Sequence, residues 1–440
     1  MNTKSRAQIR RPLIALGILV LLLPLRSSGQ TAGQPGTQTN PQNPPTHVTL
    51  DAAIDLALKH NHSLQAARTT ILQNQAQEIT ANLRPNPVLY WDAQFLPFFQ
   101  PSNFSGDYLD TSAQFDVGVG YLFERGKKRQ HRLQAAKDQT AVTTATVSDN
   151  ERTLTFNVAS QFIAALLAQA NLDLAEKDLA SFQQTVDLSQ SSFNAGATSE
   201  GDLLKIKLQL LQFQMDVSAA KLGRVQAMAT LRQLLGYESV PENYSVEGEL
   251  EYKPVKLGED DLKALALRDR PDLRAAELGV TAAQSQYSLA QANGKRDVNA
   301  QVNYTHIADL NTASLFGSIQ LPIFDRNQGE IARTRYAIGQ SQELSSEQSS
   351  IALTDVANSY EALRTNDEVV QLFQSGYLKQ SEESRDISQY AYQRGAASLL
   401  DYLDAERSYR ANELAYRQAL ASYMTSLEQL RQAVGTRSLP

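Results

Sequence analysis

The sequence predicts a membrane protein of mixed class: long α-helices forming a coiled-coil barrel, four transmembrane β-strands per chain, and the whole set made twice. Three observations predict it. First, landmarks recur along the chain. FNAGATSEGDLLK (193–205) aligns with YQRGAASLLDYLDAER (392–407) so that Gly196 falls on Gly395 and Asp202 on Asp401, at an offset of 199. LFERG (122–126) matches IFDRN (323–327) at 201, and ALKHNHSLQAA (57–67) matches ALRDRPDLRAA (266–276) at 209. Self-similarity of this kind is a tandem duplication, so each half should build the same structure. Second, two helical segments run far beyond ordinary length. Third, four short segments alternate apolar and polar residues.

The first repeat spans 47–236. A helix is expected from Thr49 to Leu83, stopped by Arg84-Pro85-Asn86-Pro87, because proline disfavours helix at and before itself. Strands follow at about 88–96 and 113–123. In the first, Leu89, Trp91, Ala93 and Phe95 alternate with Asp92 and Gln94; in the second, Phe115, Val117, Val119, Tyr121 and Phe123 alternate with Gln114, Asp116, Gly118 and Gly120. The intervening PFFQPSNFSGDYLD reads as a loop. A helix from about Arg125 to Ala195 carries Val158, Ala165, Leu172, Leu179, Val186 and Phe193 at intervals of seven, the period of left-handed supercoiling. At 1.5 Å per residue it would reach roughly 105 Å. A shorter helix at 200–235 completes the repeat; end to end with the first, it matches the long one.

After a connector at 237–257, the second repeat at 258–436 offers the same set. Short helices are expected at 258–293 and 398–435, a long one at 325–391, and strands at about 297–306 and 313–324. Tyr402, Tyr409, Tyr416, Tyr423 and Leu430 repeat every seven residues, a stripe read as a packed seam rather than a ligand ladder. Residues 437–440 form a tail.

Four amphipathic strands between such helices fit transmembrane strands better than a small soluble sheet. Four cannot close a barrel, and an open edge is forbidden in lipid, so copies must assemble: two would give eight strands, three twelve. The N-terminus agrees with export. Lys4, Arg6, Arg10 and Arg11 precede an apolar run from Leu13 to Leu25 and small residues at Ser27, Ser28 and Gly29, the order of a signal peptide over 1–29. The run is short for a membrane anchor, and no later stretch reads as a spanning helix. Residues 30–46, rich in Gln, Pro, Thr and Gly, read as a flexible linker.

Composition narrows the chemistry. A net charge of −6 gives no electrostatic footprint for nucleic acid. The absence of cysteine excludes disulfides, thiolate metal sites, a cysteine nucleophile and a lipidated N-terminal cysteine. Five scattered histidines, with His60 and His62 two apart and so on different helix faces, argue against a dedicated transition-metal site within one chain. No nucleophile elbow, phosphate loop or dinucleotide fingerprint occurs, so neither an enzyme nor a cofactor is expected. The basic run Arg125, Lys127, Lys128, Arg129 and Arg132 is either a solvated helix start or a contact for anionic lipid headgroups.

The leader, the duplication, the proline-flanked first strand and the G-x-x-x-x-x-D-x-L-D-A segment beginning at Gly395 together resemble the TolC family of outer-membrane efflux factors, across nearly all of the mature chain. ERGKKRQHR (124–132) and FDRNQGEIA (324–332) are similar to the branch serving cobalt–zinc–cadmium and related heavy-metal efflux. The resemblance implies a homotrimer with a twelve-stranded barrel in the outer membrane and a helical tunnel in the periplasm. It also implies a periplasmic adaptor and an inner-membrane pump, commonly of the resistance–nodulation–division type, as partners. Heavy-metal cations are the favoured cargo; organic toxic compounds and type I protein secretion are alternatives. A non-conducting periplasmic scaffold is the rival of another class.

By the same resemblance, Asp401 and Asp404 fall on the paired aspartates that ring the periplasmic aperture. Asp202 and Tyr392 fall on positions that hold it closed, and Gly196 and Gly395 are the turn glycines. Where the family's linkage has an arginine, this chain has Ala397. The residues themselves leave a plainer role open for the aspartates, since carboxylates are favoured in the first turn of a helix. In a trimer, six would converge on one axis, repel one another and attract cations.

Overall fold

The computed structural model describes residues 46–256, 258–308 and 310–439. The leader expected at 1–29, and all but the last residue of the expected linker, lie outside the described residues. The elements are β1 (His47–Val48), α1 (Leu50–His60), α2 (His62–Ala81), β2 (Val88–Gln94), α3 (Gly106–Thr111), β3 (Gln114–Phe123), α4 (Lys128–Asn194), α5 (Glu200–Leu235), β4 (Ser245–Val246), α6 (Glu259–Asp269), α7 (Pro271–Asn293), β5 (Val298–Ile307), β6 (Leu310–Ile319), α8 (Gln328–Leu372), α9 (Leu378–Gln393) and α10 (Leu399–Val434).

The helices stack as their lengths require. α4, with 67 residues, runs about 100 Å at 1.5 Å per residue. α2 covers its first part, where Arg68 pairs with Glu151 at 2.6 Å and Asn74 donates to Thr143. α5 covers the rest, where Gln161 donates to the Ala227 carbonyl and Lys207 to Gln190. α7 and α10 pack on both α4 and α8, joining the repeats side by side. The heptad seam of α4 is buried at Val158, Ala165, Leu172 and Val186, but Phe193 at its end is exposed. By composition one 18-residue window of α4 is apolar enough to cross a bilayer; half of it is buried within the chain, as in a core helix.

Two expected helices are broken where the sequence suggested continuity. The helix expected from Thr49 to Leu83 ends at His60 and restarts at His62. Asn61 is extended; its Oδ1 accepts from the Leu64 N–H at 3.0 Å, capping α2, and its Nδ2 donates to the Leu234 carbonyl. A side chain that satisfies a free helix-end N–H and a distant carbonyl outweighs one uninterrupted turn. In the second repeat Arg270, 2% exposed at its side chain, takes this position before Pro271. It donates to the Ala433 carbonyl and to Asp272 and Asp355. Leu234 and Ala433 are themselves equivalent at the offset of 199, so both breaks dock on the end of the following short helix.

The long helix expected at 325–391 is also interrupted. Phe373–Tyr377 form one wide π turn in which Gly376 has φ 122°, a conformation that favours glycine. The expected connector contains β4, which pairs in parallel with β1, and the expected loop 97–110 contains α3, capped by Ser105.

The four longer strands form one antiparallel sheet in the order β2-β3-β5-β6, the repeats meeting at β3 and β5. β6 begins at Leu310 and ends at Ile319, shifted toward the N-terminus from the expected 313–324, because β5 and β6 pair from Ile307–Leu310 onward. Register places Leu89, Val119, Val302 and Leu315 side by side across all four strands on one face, with 69%, 48%, 59% and 77% exposure. Three residues along, on the other face, Asp92, Asp116, Thr305 and Thr312 form a second row. Gly118 is needed on that face: a Cβ there would overlap the Tyr90 ring and lie 2.7 Å from the Val302 carbonyl.

Candidate functional site

The end of the helical stack farthest from the sheet is built from two equivalent turns. Each long helix stops in a Schellman arrangement. Gly395, at φ 71°, donates to the Tyr392 carbonyl and Ala396 to the Ala391 carbonyl; Gly196, at φ 76°, donates to Phe193 and Ala197 to Ser192. Each short helix then starts on a serine cap. Ser398 Oγ accepts from the Asp401 N–H at 3.2 Å, and Asp401 Oδ2 accepts from the Ser398 hydroxyl at 2.7 Å and its N–H at 3.2 Å. Ser199 and Asp202 share the hydroxyl–carboxylate bond at 2.8 Å, and Asp202 also meets Lys205 at 3.4 Å. Ser398 and Asp401 form the reciprocal capping box that Ser-x-x-Asp spacing supports, whereas at Ser199 only the hydroxyl, not the cap N–H, bonds the Asp202 carboxylate.

These geometries sort the sequence-predicted residues. Asp401 is committed to its own helix start. Asp404, one turn on, is exposed and makes no hydrogen bond or ion pair among the described residues, so its carboxylate is the freer of the two. Asp202 and Tyr392 line one cleft together with Ser199, Lys205, Ala397 and Ser398, but no hydrogen bond joins Asp202 to Tyr392. Ala397 offers no charge there. Within this chain, then, the closing linkage expected of Asp202 and Tyr392 is not a direct bond.

What binds the two hairpins together lies slightly farther along. Tyr392 stacks on Tyr402 with centroids 5.7 Å apart, Tyr402 faces Phe182 at 6.5 Å, and Phe182 stacks on Phe213 at 4.6 Å. These four rings cross from α9 through α10 and α4 to α5. Burial pushes the Tyr402 hydroxyl up to about 12, and it shares a hydrogen bond with Thr185 at 3.3 Å. Tyr402, Tyr423 and Leu430 of the tyrosine stripe are buried, as a packed seam requires.

Beyond the rings sits Arg410. From α10 it donates to Asp216 on α5 at 2.6 Å and to Asp178 on α4 at 3.1 Å, with its guanidinium 4.3 Å from the centre of the Phe213 ring. Burial holds the Asp178 carboxyl above the usual carboxylate range despite the attraction of Arg410. Glu406, one turn before Arg410, is raised by burial and by the nearby Asp178 charge, and Arg385 and Arg410 offset this only partly. Sequence reading missed Asp178, Asp216, Glu406 and Arg410. The one available signal was that arginine and glutamate continue the Asp401–Asp404 helix at helical spacing.

The histidines form no cluster: His62 pairs with Glu238, and no group of three acidic or histidine side chains suited to a metal occurs among the described residues. The basic run after β3 is largely tied down internally. Arg132 clasps Glu124 and the Ala81 and Leu83 carbonyls, and Lys128 pairs with Asp297 at 2.7 Å.

Comparison with known proteins bears on the fold and the family. The family model for outer membrane efflux proteins matches residues 53–237 and again 262–436. The cobalt-zinc-cadmium resistance protein CzcC of Cupriavidus metallidurans is 25% identical over 417 residues, covering 91% of this chain and 93% of that protein. The pyoverdine export outer membrane protein OpmQ of Pseudomonas putida is 25% identical over 403 residues, with 86% and 84% covered. A solved structure of CusC, a transmembrane channel, superposes with a TM-score of 0.72 at 21% identity, covering 88% of this chain and 92% of that one. The mostly helical fold is therefore that of solved outer-membrane efflux channels, and the chain belongs to the outer membrane efflux protein family.

Proposed function

We propose that this chain is the exit duct of a tripartite efflux system, three copies closing a twelve-stranded barrel in the outer membrane above a periplasmic helical tunnel. One observation carries the assembly: the sheet ends in two unpaired edges, β2 and β6, while the face bearing Leu89, Val119, Val302 and Leu315 is apolar and exposed. In lipid such edges must find partners, and β6 of one copy meeting β2 of the next supplies them. A second seam agrees. Leu204, Leu208, Leu211, Met215, Leu222 and Val225 are exposed on α5 at spacings of three, four and seven, opposite the side that buries Leu203, Ile206 and Phe213. That is a heptad stripe awaiting another helix, and a neighbouring copy provides one.

In this reading Asp401 and Asp404 ring the aperture, with Asp404 supplying most of the free charge. Asp202 and Tyr392 line the cleft whose rearrangement opens it. A periplasmic adaptor and an inner-membrane pump of the resistance–nodulation–division type complete the path. Heavy-metal cations are the proposed cargo, supported by the similarity to the cobalt-zinc-cadmium resistance protein; the equal identity to a pyoverdine exporter keeps organic compounds as the second reading.

The test is heat-modifiable electrophoresis of detergent-extracted protein with metal and organic-toxicant tolerance of a deletion strain. A compact band near trimer mass that collapses on boiling, with loss of metal tolerance, is expected. A monomer soluble without detergent would return the chain to the scaffold reading.

A further inference from the structure

At the foot of the sheet, on its polar face, a cleft of about 560 Å³ lies between the strands and the start of α4. It is lined by three cations, Lys128, Lys295 and Arg296, against one carboxylate, Asp297. That carboxylate is already engaged. Its two oxygens accept from Lys128 Nζ at 2.7 Å and from the Arg125 N–H at 2.9 Å. Lys295 and Arg296 are thus left largely uncompensated. Arg296 meets only Asp325, at 3.9 Å, and its Nε is buried without a hydrogen-bond partner among the described residues. Lys295 makes no ion pair among the described residues, its stem lying close over Gly126. Asn86, Asn299 and Gln301 add amides to the same wall.

Two cations with unspent donors, in a concave polar wall, are complementary to an anion. We infer that this cleft binds soluble multivalent anions bearing phosphate or carboxylate groups. The inference rests on the duct reading for one point only, that the polar face borders the lumen. The ligand is taken to be aqueous rather than a lipid headgroup because the cleft opens on the face opposite Leu89, Val119, Val302 and Leu315. Three such clefts around one axis would form a basic collar at the barrel foot, opposite in sign to the aspartates at the far end, and charged rings of this kind set which ions a pore concentrates.

The experiment is calorimetric titration of tripolyphosphate into the detergent-purified full chain, comparing wild type with Lys295→Gln/Arg296→Gln. Saturable binding at one site per chain, weakened about tenfold in the double variant, is expected. Should the double variant fail to give the heat-modifiable band, Lys295→Gln alone, an exposed substitution, serves in its place. Absent binding by wild type, or equal binding by the variant, overturns the inference, as does binding seen only to vesicles containing anionic lipid. Conductance in neutral-lipid bilayers is recorded separately: a protein that binds the anion but never conducts fails the duct reading while leaving the anion site standing.

Discussion

Arg410 Nη2 lies 2.6 Å from Asp216 Oδ2, binding α10 to α5 within the helical stack. The same guanidinium reaches Asp178 on α4, so one side chain fastens the second hairpin to both helices of the first. Its side chain is 17% exposed, and that of Asp178 10%. Removing one member of a buried charge network leaves the others uncompensated, at a cost of about 3–5 kcal/mol. Arg410→Leu is therefore expected to lower thermal stability strongly and to raise channel open probability. Calorimetry and single-channel recording check both; Arg407→Leu, on an exposed residue nearby, serves as the comparison.

Glu406 gives a pH signature. Its carboxyl is held above its ordinary value of 4.5 by burial and by the charge on Asp178. The folded chain therefore binds this proton more tightly than the unfolded chain, and stability falls as pH rises from about 4.5 through the raised native value. Glu406→Gln is expected to raise the melting temperature at pH 7 and to make no difference at pH 4, in parallel melts.

The turn glycines are required by backbone conformation alone. Gly196 and Gly395 both have positive φ, and a Cβ at either would meet nothing within 4 Å. Gly395→Ala is expected to cost about 1–2 kcal/mol through the left-handed conformation, and Gly395→Asn less. Equal losses from Gly196→Ala in urea melts would confirm that the repeats share this device.

The two faces of the sheet should respond oppositely to charge. Val302→Arg, on the apolar row, is expected to destabilise membrane insertion by about 2–4 kcal/mol. Thr305→Lys, on the polar row beside Asp116, is expected to preserve the heat-modifiable band.

Much of this was legible in the sequence, for identifiable reasons. Strand faces follow from strict period-two alternation, so Trp91, Val117 and Val302 could be placed before any coordinates. The place of Asp401 in the first turn of its helix was legible too, but its capping partner Ser398 was not singled out. Interruptions were harder. Asn61 carries no proline or glycine signal, because what breaks the helix there is a carbonyl 173 residues away. Arg270 did carry one in the following Pro271, which is tolerated at the first helical position and so marks a restart. Arg410 pairs with residues 194 and 232 positions distant, a relation no local period encodes. The shift of β6 reflects pairing that already begins at Ile307–Leu310, which the alternation alone did not mark.

The aperture role of the aspartates is tested most directly by the reversal potential of single channels in a neutral planar bilayer under a salt gradient, for wild type and for Asp401→Asn/Asp404→Asn. Discrete cation-selective channels are expected, with selectivity falling several-fold in the double variant and Asp404→Asn alone giving most of the loss. Channels of unchanged selectivity would return both aspartates to helix-start residues. If neither wild type nor Arg410→Leu, with its clamp removed, ever conducts, the duct itself is contradicted.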